Sequence, residues 1–348
     1  MSIIEKIFEY PFLVRIFNNL LKNEDKLNLA VNRSMLQNSH KIQFYDYFEV
    51  NSEDESKWYY DSLRKIIIKD FVNSLPKYVT KVQCDNLNSI KDKNIPQSVK
   101  RFTISKLTFK NEFVPRSLNN VLFLIHGSTQ ISQHITHLIF RRSSIIINFP
   151  ELPNSLIYLR FNNYSNQDML NKIPESVKYL RFGYAFNQNI YNCIPKNVKI
   201  LKFGRNFNHQ IENCIPRSVR KLKFGVSFNK RIKGFLPEHL ENLSLSSDFQ
   251  HYEENFIPDS VICLSLGGYE VRTNFVPKTV THLKFRNFFN YDIDGLIPEH
   301  VTHLEFGKYF NKSINGLIPK SVKSIRLGKN FDREIDDEIR KRVRIYKK

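Results

Sequence analysis

The residues best suited to chemistry are cations set at a fixed interval. Arg160, Arg181, Lys202 and Lys223 recur every 21 residues, Lys178, Lys199 and Arg220 keep the same interval, and Tyr158, Tyr179 and Lys221 stand beside them. Guanidinium and ammonium groups repeated along one surface, with tyrosine alongside, suit an acidic protein segment, a phosphorylated peptide or a nucleic-acid backbone. Further on, the corresponding positions hold Glu241, Asn242, Ser244, Ile262, Cys263 and Ser265, so the positive charge stops at Leu240. The net charge of +19 has an alternative origin, because Lys, Asn, Ile, Phe and Tyr are abundant and share A/T-rich codons. A compositional bias would not be expected to stop at Leu240, which is the one argument against it; the alternative is a solvated basic face without a ligand.

Other reactive groups are sparse. His282 and His303 lie 21 residues apart with Glu305 close by, a set with affinity for divalent metals, but no further ligand stands at metal-site spacing. No metal or other cofactor is expected. Cys193 and Cys214 are also 21 apart, without CxxC or HxxxH company, and read as small buried thiols. Four cysteines in 348 residues make no disulfide framework and suit a reducing compartment. There is no Gly-rich phosphate loop, nucleophile elbow or HExxH, so the chain does not read as an enzyme.

These side chains are positioned by a repeat. From Ile173 to Phe235 the sequence runs IPESVKYLRFGYAFNQNIYNC, IPKNVKILKFGRNFNHQIENC and IPRSVRKLKFGVSFNKRIKGF, three copies of a 21-residue unit. A period of that size marks a solenoid. Leu180 and Phe182 are two apart, so they share one face of a short strand while Tyr179 and Arg181 share the other. The same strand signature starts at Leu63, Val79, Val99, Leu118, Ile135, Leu156, Val177, Val198, Val219, Leu240, Val261, Val280, Val301 and Val322, fourteen times in all. The spacing is irregular up to Ile135 and then 21, except for one step of 19 from Val261 to Val280. The expected fold is a repeat solenoid, a parallel β-sheet array of about 14 rungs of ~21 residues. Its variable strand positions should line a concave side, giving a long surface without a deep cleft. Gly183, Gly204, Gly225, Gly267, Gly307 and Gly328 follow the strands, where a positive φ is expected. Phe186, Phe207, Phe228 and their equivalents predict a second apolar column, and Asn187, Asn208, Asn229, Asn290 and Asn311 a ladder of structural hydrogen bonds.

The recurring pairs Phe182-Gly183 with Phe186-Asn187, Phe203-Gly204 with Phe207-Asn208, Phe224-Gly225 with Phe228-Asn229, and Phe306-Gly307 with Phe310-Asn311 resemble the FNIP (IP) repeat family, itself similar to leucine-rich repeats. The resemblance covers residues 63–335 and implies an interaction surface. Residues 336–348 read as a C-terminal cap, with acids before bases as a short helix prefers.

Residues 1–50 do not repeat. They read as a small helical module, followed by a polar linker at 51–62. This module resembles a divergent F-box, with Pro11 before the first helix, the pairs Ile16-Phe17 and Leu20-Leu21, and Leu27 leading to Leu29 and Val31. The resemblance implies docking to the small adaptor of a cullin-RING (SCF-type) ubiquitin ligase, with the solenoid selecting a substrate. The alternative for these residues is a helical cap on the first rung. For the whole chain the alternatives are a nucleic-acid or polyanion binder using the basic patch and a stand-alone scaffold. No stretch is apolar enough to span a membrane, and an intracellular, cytoplasmic location is expected.

Overall fold

A computed structural model describes residues 48–50, 65–68, 75, 79, 81–84, 95–96, 99, 101–104, 121–123, 131, 133, 135–140, 151–267 and 275–347. The chain divides into two compact units, Met1–Leu156 and Ile157–Lys348. In the first, β1 (Phe48–Val50), β2 (Lys65–Ile68), β3 (Lys81–Cys84), β4 (Arg101–Ile104) and β5 (Val121–Phe123) form a parallel sheet in sequence order, and β6 (His137–Ile139) follows. β1 falls within the stretch expected to be helical. Phe48-Glu49-Val50 alternates apolar and polar residues, which suits a strand, and it sets Phe48 against Ile66 and Val50 against Ile68.

The second unit carries β7 (Tyr158–Arg160), β8 (Tyr179–Arg181), β9 (Ile200–Lys202), β10 (Lys221–Lys223), β11 (Asn242–Ser244), β12 (Cys263–Leu266), β13 (His282–Phe285), β14 (His303–Glu305), β15 (Ser324–Leu327) and β16 (Arg344–Lys347). Each pairs in parallel with the next. Every one of the fourteen starts from Leu63 to Val322 is followed two or three residues later by a strand. The helix α1 (Asp337–Arg342) precedes β16, with Asp337 and Glu338 in its first turn and Arg340, Lys341 and Arg342 in its last. Arg342 donates to the carbonyls of Ile318 (2.6 Å) and Pro319 (3.0 Å), tying the helix to the preceding rung.

The period of two explains the core. Leu159, Leu180, Leu201 and Leu222 are buried at the strand centres while their neighbours face outward. The following Phe182, Phe203 and Phe224 stack rung on rung at 5.6 and 5.7 Å. Phe186, Phe207 and Phe228 form the second column at 6.1 and 5.9 Å. Within a rung the columns meet, as in Phe203 on Phe207 at 4.0 Å. Burying each ring contributes about 1.5–3 kcal/mol relative to leaving it exposed.

Polar groups are satisfied between rungs. Asn187 Oδ1 accepts the Asn208 N–H at 2.9 Å, Asn208 Oδ1 that of Asn229 at 2.9 Å, and Asn290 Oδ1 that of Asn311 at 2.8 Å. This is the expected ladder. Before each strand from β7 to β15 a proline carbonyl accepts an N–H three residues on, as from Val177 to Pro174 at 3.1 Å.

The glycines after the strands differ from expectation. Among the described residues the positive-φ positions are Asn171, Asn192, Asn213, Gly234, Asn255, Gly295 and Gly316, a column three residues ahead of Pro174, Pro195, Pro216, Pro237, Pro258, Pro298 and Pro319. Gly204 and Gly225 are instead glycine because a Cβ there would overlap the carbonyl of Gly183 or Gly204 one rung back. The constraint is a close approach of backbones. It is not a left-handed turn.

Candidate partner-binding face

Side chains that leave the core face of the second unit's sheet line an open face in two columns. The first runs Arg160, Arg181, Lys202, Lys223, Ser244, Ser265, Lys284, Glu305 and Arg326, each in register with the next. Alongside it run Tyr158, Tyr179, Ile200, Lys221, Asn242, Cys263, His282 and His303. The four basic side chains of the first column therefore stand on four consecutive strands. No carboxylate occurs in either column from β7 to β10.

Lys178, Lys199 and Arg220 sit one step before the strands, at the sheet's edge. The carbonyls of Lys178 and Lys199 accept N–H groups from the next rung, and the side chains of both lysines are exposed. Arg220 is partly neutralised, since its Nε lies 4.0 Å from Glu241 and its Nη1 donates to the His239 carbonyl at 3.1 Å. The tyrosines are committed as well. Tyr158 and Tyr179 stack at 4.2 Å, and Lys202 Nζ lies 5.0 Å from the centre of the Tyr179 ring. Tyr179 is thus held between the strand before it and the strand after it.

Beyond Lys223 the side chains shrink, and the face opens into a hollow of about 660 Å³. Its lining includes Ser244, Ser265 and Cys263, with Lys202 and Lys223 before them along the array and Lys284, Arg286, Glu305 and Arg326 after them. The sequence reading, which anticipated no deep cleft, missed it. Arg286 occupies the column that holds Gly183, Gly204, Gly225, Gly267 and Gly307 in other rungs. Its side chain passes over Gly267, where an added Cβ would come within 2.9 Å of Arg286 Cδ, and its Nη1 donates to the Leu245 carbonyl at 2.8 Å. Burial lowers the Arg286 pKa, and Asp248 partly offsets this. Lys223 is lowered too, by desolvation and then by the charges of Arg286, Lys202, Arg181 and Lys284.

His282 and His303 do not converge on a metal. Their rings stack at 4.1 Å, and each Nδ1 lies beside a threonine hydroxyl, Thr281 at 2.9 Å and Thr302 at 2.8 Å. Glu305 pairs with Lys284 at 2.7 Å and Arg326 at 3.8 Å. Among the described residues no group of three His, Cys, Asp or Glu side chains gathers as a metal site. Cys193 and Cys214 are buried, and burial pushes the Cys193 thiol up to about 11. Pro11, Ile16, Phe17, Leu20, Leu21, Leu27, Leu29 and Val31 lie outside the described residues. Among the described residues no helix is long and apolar enough to cross a membrane.

The model of the FNIP Repeat family matches residues 143–185, 186–227, 228–269, 270–309, 289–330 and 310–338. Among solved structures, the chain is similar to the crystal structure of CroV588, described as a novel circular LRR protein, with 27% identity and a TM-score of 0.55. The match covers 90% of this chain and 58% of that one, so the chain spans less than two thirds of its neighbour's length. No curated protein matches the sequence. The fold is a leucine-rich-repeat-like parallel solenoid.

Proposed function

The chain belongs to the FNIP repeat family, and on that premise we propose that it is an interaction protein, not an enzyme, whose array holds an acidic segment of a partner protein along the open face. The observation that carries this reading is the register of Arg160, Arg181, Lys202 and Lys223, four cations on adjacent strands with no carboxylate in either column beside them. Strands lie about 4.8 Å apart and an extended chain rises about 3.3 Å per residue, so an acidic peptide crossing the strands meets about two cations for every three of its residues. Tyr158, Lys178, Tyr179, Lys199, Arg220 and Lys221 border the same track. Nucleic acid fits less well. Single strands are bound by stacking bases on open aromatic faces, and Tyr179 has Tyr158 and Lys202 against its ring.

The test is binding of a fluorescent poly-glutamate peptide to the full chain and to the triple variant Arg181→Glu, Lys202→Glu, Lys223→Glu. Salt-sensitive binding lost in the triple variant supports the reading; equal binding by both proteins rejects it. The link to a ubiquitin ligase is the finer part of the proposal and rests on the F-box resemblance of residues 1–50. It requires the cullin-ligase adaptor to co-purify with the full chain and not with a chain lacking those residues.

A further inference from the structure

The hollow beyond Lys223 is built differently from the rest of the face. Three departures from the repeat coincide there. The rung from Val261 to Val280 is 19 residues long instead of 21. The strand residues that are basic in earlier rungs become Ser244 and Ser265. Arg286 replaces the column glycine and lies back over Gly267 to the Leu245 carbonyl, 41 residues earlier in sequence.

Together these make a compact cationic site. Leu245 follows β11, the neighbour of β10, so the reach of Arg286 brings its guanidinium from β13 to within about one rung of Lys223. One guanidinium N–H is spent on the carbonyl, and a guanidinium carries five donors in a fixed fork that matches phosphate oxygens. Ser244 and Ser265 offer hydroxyl donors, Lys202 and Lys284 line the hollow on either side of them, and the lining continues past Lys284 to Arg326 and Tyr346. Glu305 is already engaged by Lys284 and Arg326, and Asp248 is the acid nearest in effect to Arg286. At the rim Phe288 is 64% exposed and stacks on Tyr309 at 5.6 Å, an apolar ledge next to the charge.

We propose that this hollow receives a phosphorylated side chain of the partner protein, its phosphate held between Lys223 and Arg286 above Ser244 and Ser265, with a neighbouring apolar side chain of the partner resting on Phe288. This rests on the reading of the open face as a track for an acidic segment, and it assigns the residue read most specifically. A dianionic phosphate answers the convergence of cations better than a carboxylate, because its three terminal oxygens reach the fork, the ammonium and a floor hydroxyl at once. The small floor leaves depth for the extra shell of oxygens.

The experiment uses the full chain and two degenerate peptide pools, identical in flanking Glu and random positions, one with a central phosphoserine and one with serine. Binding is compared for the native chain, Arg286→Gly, Lys223→Gln and Arg160→Gln. Arg286→Gly restores the residue found at this column in neighbouring rungs but gives up the bond to the Leu245 carbonyl, so the melting temperature of every variant is measured alongside and binding is compared well below it, where a loss of binding is not a loss of fold. The expected result is about tenfold tighter binding of the phosphoserine pool, abolished by Arg286→Gly and Lys223→Gln and retained by Arg160→Gln. Equal binding of both pools, or a phosphoserine preference that survives Arg286→Gly, overturns the phosphate site while leaving the acidic track standing. Binding of neither pool overturns both, and so does a single-stranded oligonucleotide that outcompetes the peptides through the same residues.

Discussion

His282 and His303, on adjacent strands, lie ring over ring at 4.1 Å and 3° from parallel. Burial, and then the charge of His303, lower the pKa of His282 below 6.5. The folded state therefore takes up a proton less readily than the unfolded chain. Stability is fully present above the unfolded pKa and is lost as the pH falls through 6.5 toward the lowered folded value. Melting of the full chain should show a lower transition at pH 5 than at pH 7.5, and proton NMR should place His282 below an ordinary histidine. His303→Gln should move the His282 titration back up. If it does not move, the neighbouring ring is not the cause.

The two glycine columns should respond differently to a methyl group. Gly204→Ala drives a Cβ into the Gly183 carbonyl and separates two rungs, at a cost of about 3 kcal/mol. Gly316, with φ of 71° and open space around it, should lose about 1–2 kcal/mol as alanine. Gly316→Asn should cost less than Gly316→Ala, since asparagine fills this column at Asn171, Asn192, Asn213 and Asn255. Urea unfolding of the three variants gives the order. Equal losses for the two alanine variants would remove the distinction.

Asn208 is an acceptor for the next rung. Asn208→Ala leaves the Asn229 N–H without its 2.9 Å partner and should cost about 1 kcal/mol. Asn208→Asp keeps an oxygen at that position and should recover most of the loss at neutral pH. Should the aspartate variant melt with the alanine variant, the hydrogen bond is not what the column supplies.

Cys193 and Cys214 should be slow to alkylate. Burial raises both thiols, Cys193 to about 11, so the reactive thiolate is scarce at pH 8. Iodoacetamide labelling followed by mass spectrometry should show both protected in buffer and modified in urea. Rapid labelling in buffer would mean that this side of the array opens without unfolding.

The strands were legible because two periods reinforce each other. Alternation puts Leu180 inward and Arg181 outward, and the 21-residue repeat places Lys202 and Lys223 behind Arg181 in register. The left-handed column was also present in the sequence, as Asn or Gly three residues before each proline from Pro174 to Pro319, but its alternation between two residue types hid it. At Gly204 the residue was legible and its reason was not, because a close approach between rungs is not a local property of the chain. The hollow could not be read at all. Ser244 and Ser265 look like an end to the charge, and Arg286 looks like a broken glycine; that they make one site depends on a side chain lying across a rung it does not belong to.

The Asn ladder carries a consequence for how the array can change in length. From Asn166 to Gln250, and again from Asn290 to Asp332, each rung offers its successor a side-chain acceptor, as Asn187 does to Asn208 and Asn208 to Asn229. A 21-residue cassette can therefore be duplicated or excised with every donor still matched, and the basic track can lengthen or shorten by gene-level slippage without a compensating mutation. The span from Leu245 to Arg286 is the exception. One side chain bridges its 41 residues, so a cassette inserted there would pull the guanidinium away from the carbonyl that holds it, and this part of the molecule is fixed in length while the rungs joined by the ladder are free to vary.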